Sequence, residues 1–344
     1  MHSSNGDVRP DAGLKVLAIR RRLLAWYQEH KRDLPWRRTR DPYRIWISEI
    51  MLQQTRVAAA VPYYVRFLER FPNVRALARV RERDLLAAWA GLGYYARARN
   101  LQKAARKILT LGAFPSDYAS IRQLAGVGDY TAAAIASIAF GLKRAAVDGN
   151  AVRVLSRLTA EPGNVAASVV RARLGDVANR LMDPKRPGDF NQALMELGAT
   201  VCAPKQPQCA VCPVEKLCAA RQSGREHELP VRFPRSRPIQ VQRQLLVVEE
   251  ARAILAWRRS ADSRRLANFW ELPELEQLPG ATVGPKIAEF RHSIVNVNYI
   301  FHVHRASAAR IPKGFRWLAA DKLKRVLLST TAKKALAFSG LTVA

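Results

Sequence analysis

A chain of 344 residues, about half of them apolar, has enough material for two cores of ordinary size. Fifty-seven Lys and Arg against twenty-eight Asp and Glu leave a formal charge of +29. That far exceeds the roughly 2–8 charges that keep a small domain soluble, and it points to a polyanion partner, nucleic acid before anionic membrane. No apolar run approaches a membrane span, and the opening MHSSNGDVRPDAG lacks a secretory core, so residues 1–13 read as a disordered tail on a cytoplasmic protein.

Residues 14–224 read as helical, because apolar residues recur at three and four in LKVLAIRRRLLAWY, AVPYYVRFLERF, RDLLAAWAGLG, NLQKAARKILTL and YTAAAIASIAFGL. Pro and Gly punctuate the gaps, as in RFPNV and GAFPSD, where Ser116-Asp117 makes an N-cap. Within YRIWISEIMLQQT, Glu49 interrupts an apolar helix beside Trp46, Ile47, Ile50, Met51 and Leu52. It either snorkels outward or sits in a pocket with a raised pKa.

The stretch LAGVGDYTAAAIAS, residues 124–137, looks like a phosphate loop but lacks the lysine, which excludes a nucleotide binder of that type. Two short helices joined by this turn would let Gly126 and Gly128 take positive φ and aim helix N–H groups at a DNA phosphate. The alternative is an ordinary helical hairpin with a Gly C-cap. Twenty residues beyond Gly128, Asp148 in VDGNAVRVLSRL is an N-cap for a helix from about Ala151, and a functional group if its free oxygen faces a pocket. A protonated Glu opposite an ionised Asp is the pair that glycosidic cleavage uses.

All four cysteines fall in CAPKQPQCAVCPVEKLC, spaced C-x6-C-x2-C-x5-C at Cys202, Cys209, Cys212 and Cys218. Structural zinc usually shows two tight pairs, so a four-cysteine iron–sulfur cluster fits this spacing better. Residues 225–240 are charged and proline-rich, which suits an extended linker. Residues 241–344 then carry the strand-like runs QLLVVEE, AILAWRR and NYIFHVHRA and a closing helix in TTAKKALAF, the pattern of a smaller α+β domain.

LPWRRTRDPYRIWISEIMLQQT, GLGYYARARNL, LAGVGDYTAAAIAS, VDGNAVRVLSR and FNQALMELGATVC together resemble the adenine DNA glycosylases of MutY type, in the helix–hairpin–helix, Gly/Pro–Asp superfamily. The resemblance spans most of residues 17–222. It implies a mainly α fold: a helix–hairpin–helix glycosylase domain with a [4Fe–4S] loop, plus a smaller Nudix-like C-terminal domain. It implies base-excision repair of double-stranded DNA by a monomer that flips out adenine mispaired with 8-oxoguanine or guanine.

By the same resemblance Glu49 is the acid that protonates adenine and Asp148 the carboxylate that stabilises the oxocarbenium-like sugar. Asn150 and Tyr130 hold water and the acid in place. Gln54 and Tyr94, with Gln53 and Leu92 beside them, match positions that wedge into the stack, and Trp36 and Arg37 match the adenine pocket. Tyr130 stands where lyase relatives such as endonuclease III carry a lysine, and tyrosine cannot form a Schiff base, so a monofunctional enzyme is implied. RRLANFWELPELE and FRHSIVNVNY resemble mismatch-reading segments, and Pro273–His292 holds no Arg-Glu-x-x-Glu-Glu cluster, so this domain is expected to bind and not hydrolyse. Many relatives carry Gly where Asn268 stands and Phe-Ser-His where Ile294, Val295 and Asn296 stand. The rival readings are a thymine or uracil mismatch glycosylase and a silent damage sensor. A pure sensor needs neither Glu49 nor Asp148.

Overall fold

The structure, a computed structural model, describes residues 10–233, 238–263, 266–294 and 296–340, with side chains from Lys15 onward apart from those of 324 and 325. The chain divides into two compact units, Met1–Pro234 and Arg235–Ala344.

The first unit is built from α1 (Pro10–His30), α2 (Pro42–Leu52), α3 (Val57–Arg70), α4 (Val74–Arg79), α5 (Glu82–Ala88) and α6 (Ala96–Leu111). After these come α7 (Tyr118–Arg122), α8 (Asp129–Phe140), α9 (Gly149–Thr159), α10 (Ser168–Leu181), α11 (Pro187–Thr200) and the short α12 (Ala219–Gln222). Helix α1 starts at Pro10, inside the segment expected to be a tail, and residues 1–9 lie outside the described residues. Four helix starts follow simple capping rules: Asp41, Asn73, Asp117 and Asp148 each accept a backbone N–H of the first turn. One core joins α1, α9, α10 and α11 through Leu23, Tyr27, Leu155, Leu174 and Phe190. Elsewhere α2 packs on α3 and α8, with Trp46, Phe67 and Trp89 fully buried.

The linker expected over 225–240 begins later than its composition suggests. Leu229 is buried, its carbonyl accepts from Arg157 Nε at 2.9 Å, and Val165 N donates to Val231 O at 3.1 Å. Charge and proline content raise the odds of an extended chain, but these backbone bonds fasten 225–231 to the helical unit. Residues 234–237 lie outside the described residues.

The second unit holds β1 (Ile239–Glu250), β2 (Ala253–Arg258), β3 (Trp270–Glu271), β4 (Thr282–Ile294), β5 (Val297–Ser307) and β6 (Phe315–Ala319), then α13 (Thr330–Phe338). The sheet order is β3-β2-β1-β5-β4, with β6 also paired to β2. Strands β1 and β5 run parallel with Leu245 opposite Val303, and the other pairs are antiparallel. Ser329 caps α13, whose Leu336 joins Leu245, Phe301 and Val303 in the core. The segment expected as a reading loop is mostly strand: FRHSI ends β4, VNY opens β5, and Ile294 pairs with Val297 across a tight hairpin tip. No helix among the described residues is long and apolar enough to cross a membrane.

Candidate active site

Helix α2 places Glu49 inside the protein, not on its surface. The residue is 7 % exposed, in a helix whose other buried members are almost all apolar. Burial pushes its carboxyl up to about 7; a hydrogen bond with Tyr130 opposes this, and the charge of Asp148 reinforces it. The outward-snorkelling alternative is therefore wrong for this side chain.

Tyr130 stands on the first turn of α8, against which α2 packs. Its hydroxyl donates to Met195 Sδ on α11 at 3.7 Å as well as pairing with Glu49. Burial, then the charges of Glu49 and Asp148, raise the phenol well above 10, so it stays protonated and serves as a donor.

Asp148 is the N-cap of α9. Its Oδ1 accepts from Ala151 N at 2.7 Å and its Oδ2 from Asn150 Nδ2 at 2.9 Å. Burial raises this carboxyl too, but the Ala151 and Asn150 donors and the Arg153 charge pull it back. Glu49 has one such partner and Asp148 has several. In a pair that feels each other's charge, the proton therefore resides on Glu49.

The approach to Asp148 is fixed from α11. Asn191, fully buried, accepts from Ala146 N at 3.1 Å and donates to Ser137 Oγ at 2.8 Å and Arg144 O at 2.8 Å. Gly198 lies so close to α9 that a Cβ there would stand 2.7 Å from Asn150 Cβ. Arg153 closes the frame, donating to Asn150 Oδ1 at 2.8 Å, Gly198 O at 2.7 Å and Cys202 O at 2.8 Å.

One turn further along α9, Arg157 is 1 % exposed and grips the cysteine segment. It donates to Cys202 Sγ at 3.2 Å, Ala203 O at 2.7 Å and Pro204 O at 2.9 Å. Cys202, Cys209, Cys212 and Cys218 are partly buried free thiols. Burial, opposed by the Val214 N–H and reinforced by the other three sulfurs, pushes Cys212 up to about 12. Among the described residues no group of three or more His, Cys, Asp or Glu is arranged to hold a metal ion.

The glycine turn between α7 and α8 departs from expectation at one position. Gly126 has φ +78°, and a Cβ there would meet Asn100 Cβ at 2.8 Å, but Gly128 is extended at φ −92° and caps α8. A single left-handed residue suffices to reverse the chain. Asp129 on the first turn is paired with Arg122 and accepts from the Tyr118 hydroxyl at 3.2 Å.

Gln54 and Tyr94 both have positive φ, at +59° and +47°, and Tyr94 is 56 % exposed. Leu92 is buried, and Gln53 Nε2 donates to Thr131 Oγ1 at 3.3 Å. Trp36 is buried edge-on against Tyr64. Arg37 does not present a free guanidinium: it donates to Glu196 Oε2 at 2.7 Å and lies over Tyr27. Burial pushes Glu196 up, yet hydrogen bonds from Arg32 and Arg37 outweigh it and hold this carboxyl at about 2. In the second unit Asn268 has φ +67°, a conformation glycine adopts freely. Val295 lies outside the described residues.

The human adenine DNA glycosylase is 35% identical to this chain over 403 residues, covering 93% of the chain and 73% of the human protein. The chain belongs to the adenine DNA glycosylases. The mouse protein agrees, at 35% identity over 93% of the chain and 77% of its own length. The HhH-GPD superfamily model of base excision DNA repair proteins matches residues 47–180 of this glycosylase, the span that carries Glu49, Tyr130 and Asp148. Among solved structures, a thermostable thymine-DNA glycosylase superposes with a TM-score of 0.57 at 32% identity, covering 62% of this chain and 99% of that one. An endonuclease III–DNA covalent complex shares the fold, with a TM-score of 0.53 at 22% identity over 62% of this chain and 98% of that one. The glycosylase thus joins a helical fold of the HhH-GPD class to a C-terminal α+β unit.

Arg97, Arg153, Arg157, Asn191 and Glu196 escaped the sequence reading. In a chain with 57 basic residues an arginine on a helix reads as surface charge. The available signal was Arg153 and Arg157 spaced i, i+4 within a helix whose remaining face is apolar.

Proposed function

We propose that this glycosylase releases adenine opposite 8-oxoguanine or guanine in duplex DNA, using Glu49 as acid and Asp148 as electrostatic partner, without cutting the strand. The observation that carries the reading is the buried Glu49 carboxyl at about 7, beside an Asp148 that keeps more donors and one oxygen on Asn150. An extruded adenine costs a few kcal/mol of unstacking, less at a mispair. The Glu49 proton passes to a ring nitrogen of the base, and the glycosidic electron pair leaves with the base. The Asp148 carboxylate faces the cation that develops on the sugar, and water adds there, giving its proton to the Glu49 carboxylate that the first transfer left. Tyr130 steadies the acid, and Asn150 steadies Asp148 and holds water. No lysine stands at Tyr130, so no Schiff base forms and the product is an abasic site.

Gly126 and Gly128 grip a backbone phosphate; Gln53, Gln54, Leu92 and Tyr94 form the wedge. Trp36 and Arg37 brace the wall behind the base, consistent with Arg37 being committed to Glu196. Cys202, Cys209, Cys212 and Cys218 hold a [4Fe–4S] cluster. Their spacing and the Arg157 N–H on Cys202 Sγ support that donor set. Bound there, the cluster would cross-link residues 202–218 into a rigid loop. The C-terminal unit acts as a Nudix-like mismatch-recognition domain, and the protein works as a monomer.

Base release from duplexes carrying A opposite 8-oxoguanine, A opposite G, T opposite G and U opposite G tests this, with and without alkali afterwards. Adenine release with strand breaks only after alkali is expected. Asp148→Asn should lower the single-turnover rate by roughly 100–1,000-fold while mispair binding changes little. A rate within a few-fold of wild type would remove Asp148 from the mechanism.

A further inference from the structure

Arg97 lies on the first turn of α6, buried at 9 % exposure, with no carboxylate partner among the described residues. Its Nη1 donates to Ile50 O at 2.9 Å, Met51 O at 3.1 Å and Gln53 O, all at the C-terminal end of α2. Its Nη2 donates to Leu92 O at 3.0 Å, Gly93 O at 3.4 Å and Thr55 Oγ1 at 3.5 Å. One guanidinium therefore ties together the two loops that bear Gln54 and Tyr94. Both of those residues are held at positive φ, a conformation a non-glycine residue keeps only where its surroundings impose it.

The rings complete the clamp. The Arg97 guanidinium lies 5.4 Å from the Tyr94 ring centroid and 5.4 Å from that of Trp89, whose Nε1 donates to Gly93 O at 3.1 Å. Tyr94 is thus both highly exposed and seated on a buried cation. One turn further along α6, Asn100 abuts Gly126 of the glycine turn, and Arg97, Asn100, Gln53 and Gly126 line one small cavity.

We propose that Arg97 is a positioning residue that sets the Gln54 and Tyr94 loops in their wedge geometry before DNA arrives, so that α6 spaces the wedge from the phosphate-gripping turn. This rests on the reading of Gln54 and Tyr94 as the wedge. A clamp formed in advance removes the ordering cost from the encounter with a mispair. It takes no part in protonating or expelling the base.

The test uses full-length protein, Arg97→Lys and Tyr94→Ala, singly and combined. Affinity is measured for a duplex whose mispaired adenine resists cleavage and for its matched counterpart, with 2-aminopurine fluorescence beside the mispair reporting unstacking. Arg97→Lys should lose about tenfold in mispair-over-matched preference, the scale of one desolvated cation–π contact and its accompanying bonds, together with the fluorescence rise. Its single-turnover rate against pH at saturating duplex should keep the wild-type shape, and the double variant should be scarcely worse than Tyr94→Ala. Additive losses, or unchanged preference in Arg97→Lys, would overturn the proposal. If Tyr94→Ala itself leaves preference intact, the wedge reading fails first. Should Arg97→Lys not fold, hydrogen exchange of wild-type peptides covering 50–56 and 90–98 decides: slow exchange without DNA is expected, and protection gained only on binding would refute it.

Discussion

Under the proposed mechanism, Glu49 is a carboxyl whose burial is costly to the fold and useful to the reaction. Its ordinary value is 4.5 and its folded value about 7, so the folded protein binds the extra proton and is stabilised by it. That contribution is fully present below about 4.5 and is lost as pH rises through about 7. Glutamine imitates the protonated form. Glu49→Gln should therefore match wild type in thermal stability near pH 4.5 and exceed it by roughly 3 kcal/mol near pH 8. Base release by the variant should be absent at every pH, since an amide has no proton of that acidity to give. Melting curves across this range check the sign; parallel curves for the two proteins would mean Glu49 is not held as an acid.

At the scale of elements, α9 connects chemistry to scaffold. Its first residues are framed by Asp148 and Asn150, and its next two turns carry Arg153 and Arg157 into the cysteine segment. Arg157→Leu would leave the carbonyls of Ala203, Pro204 and Leu229 without a buried donor, each worth about 1–3 kcal/mol. Urea unfolding should show a loss of at least about 3 kcal/mol, with iron content falling in the purified variant. Full stability and full iron would show that the loop holds without this arginine. The cap role of Asp148 could be read directly from Asp-Gly-Asn before an amphipathic helix, since capping is a local rule. The Arg157 bonds could not, because their acceptors lie 45 to 72 residues away in the chain. Strand β4 was hidden for a different reason. Gly284 and Pro285 interrupt its pattern, the register shifts around Lys286, and its residues alternate little in hydrophobicity. Gly128 was over-read: a glycine permits positive φ without requiring it.

At the scale of the whole molecule, each unit brings a different candidate for reading the base opposite adenine. The helical unit offers Gln54 and Tyr94 on preset loops, and the C-terminal unit offers the β4–β5 hairpin tip. Ile294 and Val297, which close that tip, present no side-chain donor, and Asn298 Oδ1 is engaged by Ser293 Oγ at 2.7 Å. Asn296 has an amide, and its carbonyl already accepts from Ile239 N at 3.0 Å, fastening the tip to β1. A donor that distinguishes oxidised guanine from guanine contributes about 1–3 kcal/mol per good contact, so the Asn296 amide can supply at most one such increment. In the proposed wedge role Tyr94, exposed and backed by a buried cation, would act on the stack itself, where a base contributes about 1–3 kcal/mol on an aromatic surface. Asn296→Ala should accordingly cost less 8-oxoguanine-over-guanine preference than Tyr94→Ala, by at least a few-fold in single-turnover adenine release opposite each base. If Asn296→Ala erases the preference while Tyr94→Ala keeps it, the hairpin is the reader, and the wedge serves only to open the duplex.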